Sequence, residues 1–304
     1  MTVDRPVLGI MLMLGFCILA PAGDAMAKLL GETTPVAMLV FVRFAVQALV
    51  LAPLVALTGR AWKMQGRALR LTVVRTILHI IGISAMFTSL QYLPLADAVA
   101  IVFVMPFIML LLGKYVLGEE VGLRRLIACI VGFIGTLLVI QPSFAQVGAA
   151  ALLPLVVAVV FALFMLVTRQ IAKQTDPISL QAVSGVMASA IMLPFLLIGT
   201  AAGAWELSLI APTGNTYVLL WAIGLLGTVA HLFMTWSLRY APSATLAPMQ
   251  YLEIPVATLF GWFIFRDLPN GIAAVGISIT IASGLYVILR ERASARSAPT
   301  ETPA

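Results

Sequence analysis

Hydrophobic positions along this chain come in long runs, each close to the roughly 20 residues that a helix needs to cross a bilayer. Polar positions gather in the short gaps between them. Ten runs are legible: 7–29, 35–57, 71–91, 95–117, 123–141, 149–171, 177–200, 216–238, 241–265 and 269–289. Several gaps carry Pro or Gly, as at Thr34-Pro35, Leu93-Pro94, Asp176-Pro177, Ala241-Pro242 and Pro269-Asn270-Gly271. The pattern predicts an all-α integral membrane protein of ten transmembrane helices. The last residues, "RERASARSAPTETPA", are charged and then rich in Ser, Pro and Thr. That composition predicts a disordered cytoplasmic tail over 291–304.

Composition agrees with the pattern. Of 304 residues, 62% are hydrophobic and only 10% charged, where a soluble domain carries about 25% charged residues. Mean hydropathy is +1.10, which leaves almost no soluble mass. The formal charge of +6 would suggest nucleic acid in a soluble protein. Here it reflects Lys and Arg in cytoplasmic loops. With the N-terminus inside, 14 of the 18 Lys and Arg fall in inner segments; Lys28 and Arg266 fall outside, and Arg43 and Arg75 lie within spans. Both termini are therefore expected in the cytoplasm, with the protein in the cell's inner membrane. Cys17 and Cys129 lie far apart in apolar runs and suggest neither a disulfide framework nor a metal site. The start of the chain imitates a signal peptide, with Ala25-Met26-Ala27 as a cleavage-like site. Its apolar stretch is long for that role, and removing it would break an internal repeat.

The chain resembles itself at a shift of about 148 residues. Ser89-Leu90, Tyr92, Pro94 and Ala96 match Ser237-Leu238, Tyr240, Pro242 and Ala244. Pro106, Gly122 and Gly135 match Pro255, Gly271 and Gly284 one residue further on. Weaker echoes join Ala27-Lys28 to Ala172-Lys173 and the Pro35 turn to the Pro177 turn. Each half, 1–145 and 146–290, then holds five helices. An odd number reverses direction, so the second half enters the membrane from the opposite side. Two inverted repeats place a substrate site near the midplane, where the halves meet around a central cavity.

On these features the chain resembles the drug/metabolite transporter superfamily, in its ten-helix bacterial exporter branch. The resemblance spans the whole chain. It rests on the five-plus-five layout, on "SLQYLPLADAVAIVFVMPFIMLLLGKYVLGEEVG", and on its degenerate copy "SLRYAPSATLAPMQYLEIPVATLFGWFIFRDLPNG". Within that branch it is similar to exporters of amino acids, aromatic ones included. The resemblance implies a cavity enclosed by spans 1, 3, 4, 6, 8 and 9.

Polar groups at membrane depth are costly and become candidates for function. Asp24 and Arg43 sit in the outer parts of spans one and two. They read either as an ion pair between adjacent helices or as an outer vestibule that meets the charged end of a zwitterion. Arg75 and His79 share a face of span three. Arg75 lies one turn from the cytoplasmic end and is expected to snorkel to the headgroups. His79 lies near the midplane with Gly82, Ile83 and Met86 on its face. It reads as a cavity wall or as an imidazole hydrogen-bonded between helices. His231 shares a face with Gly224, Gly227, Thr228 and Thr235, which suits close packing or a cavity. Asp97 reads as a solvated helix-start residue.

Glu253 sits at the centre of span nine, two residues before Pro255, whose counterpart Pro106 is central in span four. Proline removes a helix donor, so the two prolines are candidate hinges around a shared cavity. Glu253 reads as a proton-coupling site, a cation binder, or a partner of His79 or Arg43. The apolar share of a ligand pocket is assigned to Phe103, Met105, Phe161 and Trp236, with Gln250 and Tyr251.

The first functional reading is a secondary transporter that exports small amphipathic metabolites, amino acids first, by alternating access. The alternative is an importer of a vitamin or nucleoside-like compound; a lipid flippase or channel is a further class. No Walker A, H-E-x-x-H or G-x-S-x-G sequence occurs, which argues against ATP coupling and against an enzyme. No cofactor is expected. The partners expected are a small-molecule substrate and the lipid bilayer, with no nucleic acid and a monomer compatible with the pattern. Gly132 and Gly135 in span five, with Gly276 and Gly284 in span ten, suggest close helix packing without saying whether the partner helix belongs to the same chain.

Overall fold

A computed structural model describes residues 5–117, 123–241 and 246–296, and among them every regular element is helical. In lipid, backbone groups find no water, so an apolar segment that spans must bond within itself, as a helix does. The α-helices are α1 (Pro6–Leu30), α2 (Val36–Leu57), α3 (Gly66–Leu90), α4 (Leu95–Val102), α5 (Met105–Leu117), α6 (Leu123–Val147), α7 (Leu153–Ala172), α8 (Pro177–Ala201), α9 (Thr216–Tyr240), α10 (Glu253–Phe260) and α11 (Gly271–Arg296). Six stretches among the described residues are long and apolar enough to cross a membrane, and three shorter apolar ones join them.

Proline punctuates these elements where the sequence led one to expect. It opens α1 and α8 and sits just before α2 and α4, positions where a missing N–H costs nothing. Asp176 caps α8, its Oδ1 accepting from the Ser179 N–H at 3.0 Å. Its other oxygen pairs with Arg60 at 2.6 Å, which ties the start of α8 to the loop after α2.

Two expected spans are not single helices. The run 95–117 breaks after Val102 and resumes at Met105. Pro106 has no N–H to give the Val102 carbonyl, so the break falls one turn before it. In the run 241–265, the stretch from Ala247 on is a 3₁₀ segment (Ala247–Leu252), then α10, then a π-turn (Gly261–Phe265), followed by Arg266 at φ 59°. Pro255 likewise leaves the Tyr251 carbonyl, inside the 3₁₀ stretch, without an α-helical donor. Ends shift as well: α3 begins at Gly66, α6 reaches Val147, and α7 follows a 3₁₀ turn at Gly148–Leu152. The last helix continues to Arg296, so the first residues expected in the tail are helical. The rest of that tail, Gly122, the "GEE" at 118–120, Pro242 and Ala244 lie outside the described residues.

The helices pack in a regular scheme. α1 lies against α9, α3 against α7, α2 against α8, and α6 against α11. A second tier joins α2 to α9 and α3 to α8, and α10 to both α1 and α4. The α6–α11 contact answers the glycine question, because its partner helix is in the same chain. A Cβ on Gly135 would come within 2.7 Å of the Gly276 carbonyl oxygen and 2.6 Å of Thr280 Oγ1. Large apolar side chains such as Met11, Leu49, Phe195, Ile198 and Trp221 face outward. A surface of that kind suits lipid and would be a liability in water.

Candidate functional site

A cavity opens among α1, α3, α4, α7, α9 and α10, with Arg43 reaching in from α2. These helices fall in the apolar runs that the sequence numbers 1, 3, 4, 6, 8 and 9. Together with the open solvent at its mouth, the space among these side chains is about 770 Å³. Its lining comes mostly from the C-terminal halves of α1 and α3, the N-terminal halves of α7 and α9, and the end of α4 with the Phe103–Met105 break that follows it. In alternating helices those halves share one end of the bundle. The cavity therefore occupies one half of the molecule, and the other half closes it.

Most of the wall is apolar. Gly82, Met86, Phe103, Met105 and Phe161, all expected from sequence, line it, together with Phe16, Ile83 and Phe87. Three charged side chains face the same space: Asp24, Arg43 and Glu253. The expected ion pairs do not form. Among the described residues neither carboxylate has a cationic partner within 4.0 Å. The Cys17 thiol donates to Glu253 Oε1 from 4.0 Å.

Arg43 turns instead to two imidazoles. Its Nη2 lies 2.8 Å from His231 Nδ1 and its Nη1 3.4 Å from His79 Nε2. Arginine only donates, so His79 Nε2 accepts and the proton of that neutral ring sits on Nδ1, whereas His231 Nδ1 faces both Arg43 and the Gly227 carbonyl at 3.1 Å, so its role follows the tautomer. The rings lie 4.4 Å apart, tilted by 31°. Gly227 makes this possible: a Cβ there would meet Arg43 Nε at 2.5 Å. Phe16 and Phe161 stack at 6.4 Å, and Phe16 meets His231 edge-on at 5.6 Å. The aromatic pair and the Arg43–imidazole group together form the cavity floor.

His79 is thus behind the floor and not on the wall. It is 1% exposed, packed between Phe44 at 5.0 Å and Phe164 at 4.6 Å, and its Nδ1 has no partner among the described residues. His231 takes the lining position. In the sequence only its small-residue face, Gly227 included, hinted at that.

Five other expectations are corrected. Trp236 packs against the cluster of Leu51, Val55, Ala182 and Leu232, away from the cavity. Gln250 is fully buried, its amide 3.6 Å from Met165 Sδ. Tyr251 lies against Phe103 at 5.2 Å and fills the space left by Gly284, so it joins the α6–α11 side. Asp97 is buried and accepts from Ser143 Oγ at 3.3 Å; it is not solvated. Arg75, expected among headgroups, is 0% exposed. It donates from Nε to Thr168 Oγ1 at 2.9 Å and from Nη1 to Ser184 Oγ at 2.8 Å, with its guanidinium 4.5 Å above the Phe164 ring. Helices α7 and α8 cover the side of α3 that one-dimensional depth assigned to lipid. Nearby, Gln181 donates to the His231 carbonyl and to Thr235, and Gln47 donates to Gln181. The closed half is thus joined by polar contacts across α2, α3, α7, α8 and α9. Of the two candidate hinges, Pro255 lies in the first turn of α10 and Pro106 just after the break between α4 and α5.

A multi-pass bundle with an apolar outer surface and a mainly apolar internal cavity carrying a few charges is the build of a membrane transporter. The profile of the EamA-like transporter family matches residues 7–141 and again 148–290. The chain belongs to that family, within the drug/metabolite transporter superfamily. A riboflavin transporter of Rhizobium johnstonii is 30% identical over 72% of this chain and 70% of its own length. An S-adenosylmethionine uptake transporter of Rickettsia prowazekii is 25% identical over 90% of both chains. A crystal structure at 16% identity superposes with a TM-score of 0.65, covering 95% of this chain and 98% of the other, which extends the likeness to the fold.

Proposed function

We propose that this transporter takes up a compact aromatic metabolite, vitamin-like or nucleoside-like, by alternating access. The observation that carries the reading is the cavity itself: apolar and aromatic walls, a few charged groups, an open mouth at one end and a packed floor at the other. Flat apolar walls suit a ring system, and sparse polar groups orient it. The names of the two relatives support this over the amino acid export that the sequence first suggested. We read the chain as ten spans in two inverted five-helix halves, with both termini cytoplasmic. The pairing of elements supports that reading, because exchanging the halves maps α1–α9 onto α7–α3 and leaves α2–α8 and α6–α11 in place. Such a design lets one half rock against the other around a fixed site. On this orientation the cavity faces away from the cytoplasm.

The test is transport by proteoliposomes offered riboflavin, S-adenosylmethionine, phenylalanine and tryptophan, each supplied on either side. Inward movement of riboflavin or S-adenosylmethionine, with little movement of the amino acids, is expected. Movement of the amino acids alone, or movement only outward, overturns the reading.

A further inference from the structure

The charges in the cavity do not balance. Asp24 on α1 and Glu253 on α10 both face it, and neither has a cationic partner within 4.0 Å among the described residues. The one cation on the described wall, Arg43, has both terminal nitrogens directed at His231 and His79. The remaining wall is mainly apolar and includes the rings of Phe16, Phe87 and Phe161. Ionised carboxylates in such surroundings are costly unless an opposite charge reaches them. Arg43 acts on Asp24 only from beyond 4.0 Å, and one cation set against two acids leaves the cavity an excess acid that an entering cation can pair. Two carboxylates alone would not define a site. Here they stand on different helices around one aromatic cavity, and aromatic faces attract cations as well as rings.

We propose that the transported metabolite is an organic cation joined to an aromatic ring, with its positive centre held by Asp24 and Glu253. The inference rests on the cavity being the substrate site. It adds the charge class that the aromatic walls alone leave open, and it separates the substrates named for the two relatives. Riboflavin is uncharged near neutral pH, whereas S-adenosylmethionine carries a sulfonium. It also gives the carboxylates a selectivity role that proton coupling does not require. A proton would neutralise either acid without preferring any one ligand.

Matched ligand pairs test this, since each pair differs by one methyl group and one positive charge. The pairs are S-adenosylmethionine with S-adenosylhomocysteine, and 1-methylnicotinamide with nicotinamide. Binding to purified protein is measured at pH 7 by isothermal calorimetry or by thermal shift. The cationic member of at least one pair is expected to bind about tenfold or more tighter, the ratio that one favourable charge contact of about 1.4 kcal/mol gives. Asp24→Asn and Glu253→Gln should each reduce that ratio severalfold and leave the neutral member's affinity within about twofold. Asp24→Glu should restore part of it. The wild-type ratios need no variant, so a misfolded mutant does not blunt the test. Ratios near one in both pairs overturn the proposal, as does a preference that survives both neutral substitutions. If the substitutions abolish a response to a pH gradient but leave the ratio intact, the acids carry protons and the proposal fails. Riboflavin uptake without charge preference sinks this inference and spares the broader reading. Transport of amino acids alone sinks the broader reading instead.

Discussion

At the scale of single residues, Arg75 and His79 show what a sequence position conveys and what it omits. Their spacing put both on one face of α3, and they do share a neighbour in Phe164. Depth along the helix then suggested that Arg75 reaches headgroups. What covers a helix face depends on which helix lies beside it, and that is a long-range fact. The Arg75 guanidinium is buried with two hydroxyl acceptors and a ring, Nη2 has no hydrogen-bond partner among the described residues, and no carboxylate lies within 4.0 Å. A buried charge without an opposite charge is poor value for stability. Arg75→Met keeps the stem packing and removes the charge, so its melting temperature in detergent should match or exceed wild type. Arg75→Lys keeps the charge but loses the fork that reaches Thr168 and Ser184 together. It should be less stable by about 1–3 kcal/mol. If the Met variant melts below the Lys variant, the cation itself holds α3 to α7 and α8, and this account of the closed half is wrong.

At the scale of elements, the apolar runs revealed where helices lie, because a segment in lipid has few other options. They did not reveal the breaks. Hydrophobicity is blind to whether a backbone bonds one residue nearer or further along. Pro106 and Pro255 marked both irregular spans in advance, yet a bend and a full interruption look alike in sequence. The small-residue positions were legible as tight crossings, and only their partner was missing. That crossing can be tested. Gly135→Ala forces a methyl against the Gly276 carbonyl, a backbone atom that cannot rotate away. Overpacking of this kind costs about 1–3 kcal/mol, against a helix-propensity gain of at most about 1 kcal/mol. A net drop in thermal stability is expected. Gly23→Ala is the control: its Cβ meets nothing within 4 Å, so only the gain remains. Equal stability of the two variants would mean that α6 and α11 do not meet at Gly135.

At the scale of the whole molecule, the site was half legible. Glu253, Asp24, Arg43, Phe103, Met105 and Phe161 could be placed at the right depth, and all face the cavity. Gln250, Tyr251, Trp236 and His79 lie at similar depth but turn elsewhere, because direction around a helix axis is set by its neighbours. The arrangement has one open half and one closed half. The closed half is held by the Phe16–Phe161 stack, the Arg43–imidazole floor and the Arg75 contacts to α7 and α8. If the halves rock, those contacts must part as the mouth closes, and residues now dry must meet water on the side opposite the mouth. Single cysteines report this in a background with Cys17 and Cys129 replaced by Ala. Gly23→Cys places a thiol in the cavity without a clash. Ser184→Cys places one beside Arg75, fully buried in this conformation. On the proposed orientation, a membrane-impermeant thiol reagent should modify Gly23→Cys from the extracytoplasmic side only. It should modify Ser184→Cys from the cytoplasmic side only, and faster when transported substrate is present on both sides. Modification of Gly23→Cys from the cytoplasm alone would reverse the orientation. A Ser184→Cys thiol that stays inert while the protein transports would show that the closed half does not open along this seam.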